Sequence, residues 1–306
     1  MSIAAVAHTG SGPEPGQEPP AATTGRRTWL PYLLLLPGMA WLAVFFAIPI
    51  FTLLGTTTQT PVPGGDIGAF EQTFDFGNYA DAVREYTEQF VRSFVYAGLA
   101  TLFALLISYP LAYLIAFRAG RWRNILLVLV VAPFFTSFIL RTIAWRQILS
   151  EEGFVVSSLK FLHVIPQGMN VTASAVAVVA GITYNFLPFM TLPLYASLER
   201  IDPRLIEAGS DLYGSSFAVL RKVTFPLSMP GVVAGTLLTF IPAAGDYVNA
   251  ALLGTPRTQM IGNVVESRFF RIVDYPTAAV LSFVLMAAIL VLVTLYIRRA
   301  GTEELV

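Results

Sequence analysis

Asp246 is the residue whose setting points most directly to chemistry. The stretch 223–245 before it contains no Asp, Glu, Lys or Arg, so its carboxylate falls near the end of a long apolar run. A carboxylate at membrane depth is costly and faces a cavity or a partner. Two readings are open. One is an interfacial carboxylate paired with an arginine such as Arg141, which closes the uncharged stretch 124–140. The other is a contact for a cation crossing the membrane, because ammonium groups are well held by an acid with aromatic faces beside it. Tyr247, Asn249, Tyr184, Asn185 and Trp145 could supply the rest of such a path. Pro242 and Gly245 predict a broken or loosened helix just ahead of Asp246, and irregular backbone at that depth is tolerated where it lines a cavity. Arg141 reads as a snorkelling interface residue, and it would repel a cation.

Composition removes most other chemistries. There is no cysteine, so disulfides, thiolate metal sites and thiol nucleophiles are excluded. His8 and His163 are the two histidines, too few for a His-built metal centre. Lys plus Arg and Asp plus Glu are both 19, which leaves no basic footprint for nucleic acid. No Gly-x-x-x-x-Gly-Lys-Ser/Thr sequence occurs, so ATP hydrolysis and a cofactor are not expected of this chain itself. An intramembrane enzyme would need a Ser/Lys, Asp/Asp or His-metal constellation, and Asp246 stands alone. A stand-alone secondary transporter would call for an internal repeat and paired ionisable residues within the spans, and neither is evident.

The elements that must position these residues are membrane helices. Charged residues make up 12% of the chain, against about 25% in a soluble domain. Hydrophobic residues make up 55%, and the mean hydropathy is +0.67. Residues 1–27 are a polar tail whose composition predicts disorder. The apolar run that follows is too long for the core of a signal peptide and reads as an uncleaved first span. Charge-free runs at 29–54, 93–117, 124–140, 174–198, 223–245 and 276–297 approach or exceed the roughly 20 residues a span needs. They predict an all-α integral membrane protein of six transmembrane helices, with the membrane domain covering 28–300. Prolines inside several spans are tolerated where neighbouring helices re-satisfy the freed carbonyls. The six-residue turn 118–123 carries Arg118, Arg121 and Arg123, and the excess of Lys and Arg places it, together with 1–27, 199–226 and 301–306, on the cytoplasmic side. The acid-rich loop 55–92 then lies outside.

The segment 199–226 differs from the rest. Asp202 followed by Pro203 is a helix start: an acceptor at the cap, then proline where its missing N–H costs nothing. Gly214 fits a helix stop, and Ser215 or Ser216 can cap a second short helix limited by Pro226. Leu205, Ala208 and Leu212 share one face of the first helix; Phe217, Leu220 and Thr224 share one of the second. Two short amphipathic helices with a tight turn result. They suit either a lipid surface or a groove in a cytoplasmic partner, and the mixed charge signs count against lipid.

Glu207-Ala208-Gly209, Asp211-Leu212 and the closing Val223-Thr-Phe-Pro226 resemble the EAA loop of ABC-importer permeases. Gly209 replaces the second Ala, Gly214 lies one residue late, and Val223 and Phe225 replace Ile and Leu. Further segments resemble the spermidine/putrescine branch, B-type subunit: Tyr-Pro-Leu-Ala-Tyr-Leu-Ile-Ala at 109–116, Pro-Phe-Phe-Thr-Ser-Phe-Ile-Leu-Arg-Thr-Ile-Ala-Trp at 133–145, the stretch 187–202, Phe-Ile-Pro-Ala-Ala-Gly-Asp-Tyr at 240–247, and 252–255 with 260–263. The resemblance implies a type I importer permease fold in the cell membrane. It implies that Glu207, Ala208, Gly209, Asp211, Leu212, Gly214 and Pro226 belong to a coupling helix seated in a cleft of an ATPase dimer, which binds ATP and Mg. It also implies a second permease subunit, most often a distinct C-type chain, and an extracytoplasmic binding protein that delivers polyamine cargo. Other cations, small organic solutes and metal chelates are carried in the same class.

Overall fold

The computed structural model describes residues 30–163, 166 and 171–300. The tail 1–27 and the end 301–306, with their expected disorder and location, lie outside the described residues. The chain divides at Ile50/Phe51 into two units. In the first, the helix α1 (Tyr32–Thr56) begins; its described side chains are apolar and exposed up to Ile50 except for a partly covered Ala47.

The second unit is built on three long helices: α2 (Gly77–Arg118), α6 (Ala175–Glu199) and α12 (Tyr275–Arg299). Between α1 and α2 lies a small antiparallel ribbon, β1 (Gln59–Pro61) and β2 (Phe70–Gln72), with Thr60 opposite Glu71. Two further apolar segments are bent pairs. The helices α3 (Gly120–Phe135) and α4 (Phe138–Ile148) meet at 99°. The helices α8 (Ser216–Leu227) and α9 (Met229–Ala244) meet at 67°. Between these run α5 (Phe154–Phe161) and α7 (Pro203–Tyr213), and α10 (Val248–Leu253) and α11 (Ile261–Glu266) lie between α9 and α12. Among the described residues, four helices are thus long and apolar enough to cross a membrane, or up to six if each bent pair is one span.

The departures from the expected spans have local causes. A straight span over 124–140 is replaced by a bend because Pro133 tightens the chain into a 3₁₀ turn, Ala132–Phe135, and Thr136 and Ser137 then turn extended. The Thr136 hydroxyl donates to the Pro133 carbonyl at 2.7 Å, closing that turn. The fifth span begins at Met229 instead of 223, since 223–227 continue the hairpin's second helix up to the break at Ser228. The second is longer than 93–117, because the polar stretch 77–92 belongs to the same helix, with a kink at Tyr86 (φ −109, ψ 17).

The core sits along α6, where Val178, Ile182, Met190, Leu194 and Leu198 are fully buried. α9 lies against it backbone to backbone. A Cβ at Gly231 would stand 2.5 Å from Ser197 Cβ and 2.7 Å from the Pro193 oxygen, and one at Gly235 would stand 2.8 Å from Met190 Sδ. The Gly-x-x-x-Gly spacing gives the close approach that membrane helices use when lipid offers no hydrophobic drive. α2 joins α6 through buried hydroxyls: Thr191 donates to Ser108 at 2.8 Å, and Ser108 to the Leu187 carbonyl at 3.3 Å.

Candidate translocation site and coupling hairpin

The hairpin forms as its punctuation predicts. Asp202 Oδ1 accepts the Arg204 amide at 2.9 Å, with Pro203 in the first turn of α7. Gly214 ends α7 in the left-handed conformation (φ 64, ψ −2), and Ser215 Oγ accepts the Ala218 amide at 3.2 Å to start α8. Gly209 is buried where the two helices cross; its Cβ position lies 3.1 Å from Val223 and 3.4 Å from Val219. Glu207, Ala208, Asp211, Leu212, Gly214 and Pro226 are all exposed. Leu212 and Phe217, on either side of the turn at Gly214, are 74% and 72% exposed. At the base, Glu199 pairs with Arg123, whose guanidinium also lies 5.1 Å from the Tyr195 ring.

At the other end of α9 the helix stops at Ala244, as Pro242 and Gly245 suggest, and Asp246 begins the turn into α10. Asp246 is 7% exposed. Its Oδ1 accepts the Asn249 amide at 2.9 Å, and its Oδ2 accepts the Asn249 side-chain NH₂ at 3.0 Å. Asn249 Oδ1 in turn accepts from Asn185 on α6 at 3.0 Å and from the Thr142 hydroxyl on α4 at 3.4 Å. Asn185 Nδ2 also reaches Thr142 at 3.2 Å. One buried polar chain therefore ties α4, α6 and the α9–α10 turn. Asn185 Oδ1 is left without a hydrogen-bond partner.

Two glycines allow this approach. A Cβ at Gly181 would stand 2.3 Å from Leu253 and 2.8 Å from Asn249 Oδ1, so α10 can settle on α6 only at a bare backbone. A Cβ at Gly262 would stand 2.6 Å from the Gly245 carbonyl, which brings α11 onto the turn. Asn263 completes the frame, donating to the Tyr247 carbonyl at 2.7 Å and accepting the Met260 amide at 3.0 Å.

The structure splits the expected path residues into two groups. Asp246, Asn249 and Asn185 come together. Trp145 and Tyr184 form a separate aromatic pair with centroids 5.2 Å apart, on the wall of a cavity of about 520 Å³ that Tyr96, Phe103 and Thr183 also line. The Tyr247 side chain belongs to neither and is half exposed, beside a second cavity of about 350 Å³. Arg141 is not the partner of Asp246. Its guanidinium lies 5.7 Å from both the Phe134 and Phe138 rings, with Nε and Nη1 buried and unbonded.

No family model matches the chain. It is 33% identical over 263 residues to the spermidine/putrescine transport system permease protein PotB of Salmonella typhimurium (strain SL1344), covering 86% of this chain and 91% of that one. This chain belongs to the ABC-importer permeases, in the PotB branch. The fold agrees. The crystal structure of a bacterial ABC transporter involved in import of the acidic polysaccharide alginate superposes on the permease with a TM-score of 0.72, at 17% identity, over 91% of this chain and 97% of that chain. A crystal structure of a bacterial alginate ABC transporter in complex with an alginate pentasaccharide-bound periplasmic protein gives 0.67 at 18% identity, over 90% and 96%. The chain is accordingly a membrane-embedded permease subunit of an importer, the component of the class that carries the pore.

Within this permease, sequence reasoning missed Thr142, Gly181, Gly231, Gly235 and Gly262. The Gly231/Gly235 spacing was a readable signal for close helix packing. Thr142 and Gly181 carry no local signal, because their partners lie far away in sequence.

Proposed function

We propose that this permease translocates spermidine and putrescine, delivered by an extracytoplasmic binding protein, through a path that passes Asp246. The observation that carries the cargo assignment is the buried Asp246 carboxylate, whose negative charge has no cationic side chain paired with it among the described residues. A buried carboxylate costs least when a cation can visit it. The one-third identity to a spermidine/putrescine permease supports the same cargo. Trp145 and Tyr184 would face the apolar spacer of a polyamine, while Asn185 Oδ1 offers an unused acceptor for an ammonium N–H.

The hairpin is the contact for the ATPase dimer, with Leu212 and Phe217 as apolar anchors and Glu207 and Asp211 beside them. ATP and Mg are bound by that dimer. A second, C-type permease completes the pathway, and both termini lie in the cytoplasm. ATP binding closes the dimer, the hairpins move as rigid bodies, and the cavity changes the side it faces.

A second cargo class is favoured by one observation. The buried, unpaired nitrogens of Arg141 suit a carboxylate-bearing organic solute. Uptake of radiolabelled spermidine and putrescine, in cells with the gene deleted and then restored, separates the two. Uptake that returns with the wild-type gene, and not with Asp246→Asn, supports polyamine. Polyamine uptake unchanged by deletion overturns it.

A further inference from the structure

The corner at which the hairpin enters the membrane domain is pinned from one side. Ser228 separates α8 from α9 and is fully buried. Its hydroxyl donates to the Phe225 carbonyl at 3.0 Å. Its single proton is thereby used, so the Tyr109 hydroxyl of α2, 2.9 Å away, is the donor in the bond between them. The Tyr109 ring packs on Phe225 with centroids 5.7 Å apart. α2 therefore holds both the break itself and Phe225 in the last turn of the helix before it.

The hairpin's two ends converge on one helix pair. α7 leaves α6 after a short turn at Arg200–Asp202, and α9 is seated on α6 at Gly231 and Gly235. Gly209 locks α7 onto α8. Hairpin, α6 and α9 thus close a bracket whose far end carries Asn185 and the turn at Asp246. The corner between α8 and α9 is Ser228, and Tyr109 is what braces it.

We infer that Tyr109 is a positioning residue for transport. Its bond to Ser228 stops the chain from flexing at that corner, so that displacement of the hairpin turns α6 and α9 together and reaches the Asp246 network. The inference rests on the reading of the hairpin as the ATPase contact, and it does not depend on the cargo.

The test uses the complete importer in proteoliposomes, with the cognate binding protein purified without removing its ligand. ATP turnover is measured with and without that protein. Tyr109→Phe keeps the ring on Phe225 and removes only the hydroxyl. Basal turnover should stay at the wild-type rate, while the stimulation by binding protein falls about fivefold, the ratio an ordinary hydrogen bond corresponds to. Ser228→Ala should do the same, and the double variant should lose no more than either single one. Stimulation unchanged in Tyr109→Phe overturns the inference. So do basal and stimulated rates that fall in proportion, or losses that add in the double variant. Spermidine uptake is read separately: turnover that responds to binding protein without spermidine accumulation contradicts the cargo and leaves the role of Tyr109 standing. A chain that never assembles with the ATPase contradicts the reading of the hairpin.

Discussion

At the scale of single residues, Asp246 has two tasks that can be separated. Its oxygens hold the first turn of α10 through Asn249, and its charge is what we propose the cargo meets. Asp246→Asn keeps an acceptor for the Asn249 amide and gives up the side-chain bond and the charge. We expect a folded, membrane-inserted chain whose spermidine uptake falls at least about tenfold, as loss of an ion-pair contact of ~1.4 kcal/mol would give. Asp246→Ala removes both acceptors. The two Asn249 donors are then buried unpaired, and the melting temperature in detergent should drop in line with a loss of ~1–3 kcal/mol. Equal melting for the two variants would contradict a capping role. The charge of Asp246 was legible in the sequence because the run before it has none. Its structural task was not, because Thr142, Asn185 and Asn249 lie on different segments and meet only in the fold.

At the scale of elements, glycines decide how closely helices meet. A Cβ at Gly231 would meet the Pro193 carbonyl oxygen at 2.7 Å, which cannot yield, whereas one at Gly235 would meet the Met190 side-chain sulfur at 2.8 Å and that residue's backbone oxygen only at 3.1 Å. Gly231→Ala should therefore cost more than Gly235→Ala, within the ~1–3 kcal/mol of overpacking, as read from thermal unfolding of the purified chain. In the hairpin, Gly209→Ala meets Val223 at 3.1 Å and should leave capture of the ATPase in a pull-down nearly unchanged. Gly214→Ala forces a side chain into the left-handed region, at ~1–2 kcal/mol, and should weaken capture. The hairpin was legible almost residue by residue, since Asp202, Pro203, Gly214 and Ser215 are local signals. The bends were not. Thr136–Ser137 and Ser228 are uncharged, and the charge-free runs that reveal a span do not reveal where it turns.

For the molecule as a whole, the arginine-rich turn and the hairpin should share one side of the membrane, with α5 on the other. The absence of native cysteine makes this directly measurable. Single cysteines at Ser210 and at Phe154, both exposed, should react differently with a membrane-impermeant maleimide. Phe154→Cys should label in intact spheroplasts, and Ser210→Cys only after the membrane is opened. The reverse pattern inverts the topology. A helical membrane protein was legible from composition and span counting, its importer-permease fold only through the resemblance of the hairpin to the EAA loop, and the superposition at a TM-score of 0.72 bears that fold out.

The turn at Asp246 also has a consequence for descent. Aspartate and asparagine codons differ by one base, and asparagine retains the acceptor that keeps the backbone amide of Asn249 in place. A lineage can therefore neutralise this carboxylate in one mutational step without rebuilding the turn, and on the path proposed above that lets cargo preference drift while the scaffold stays fixed.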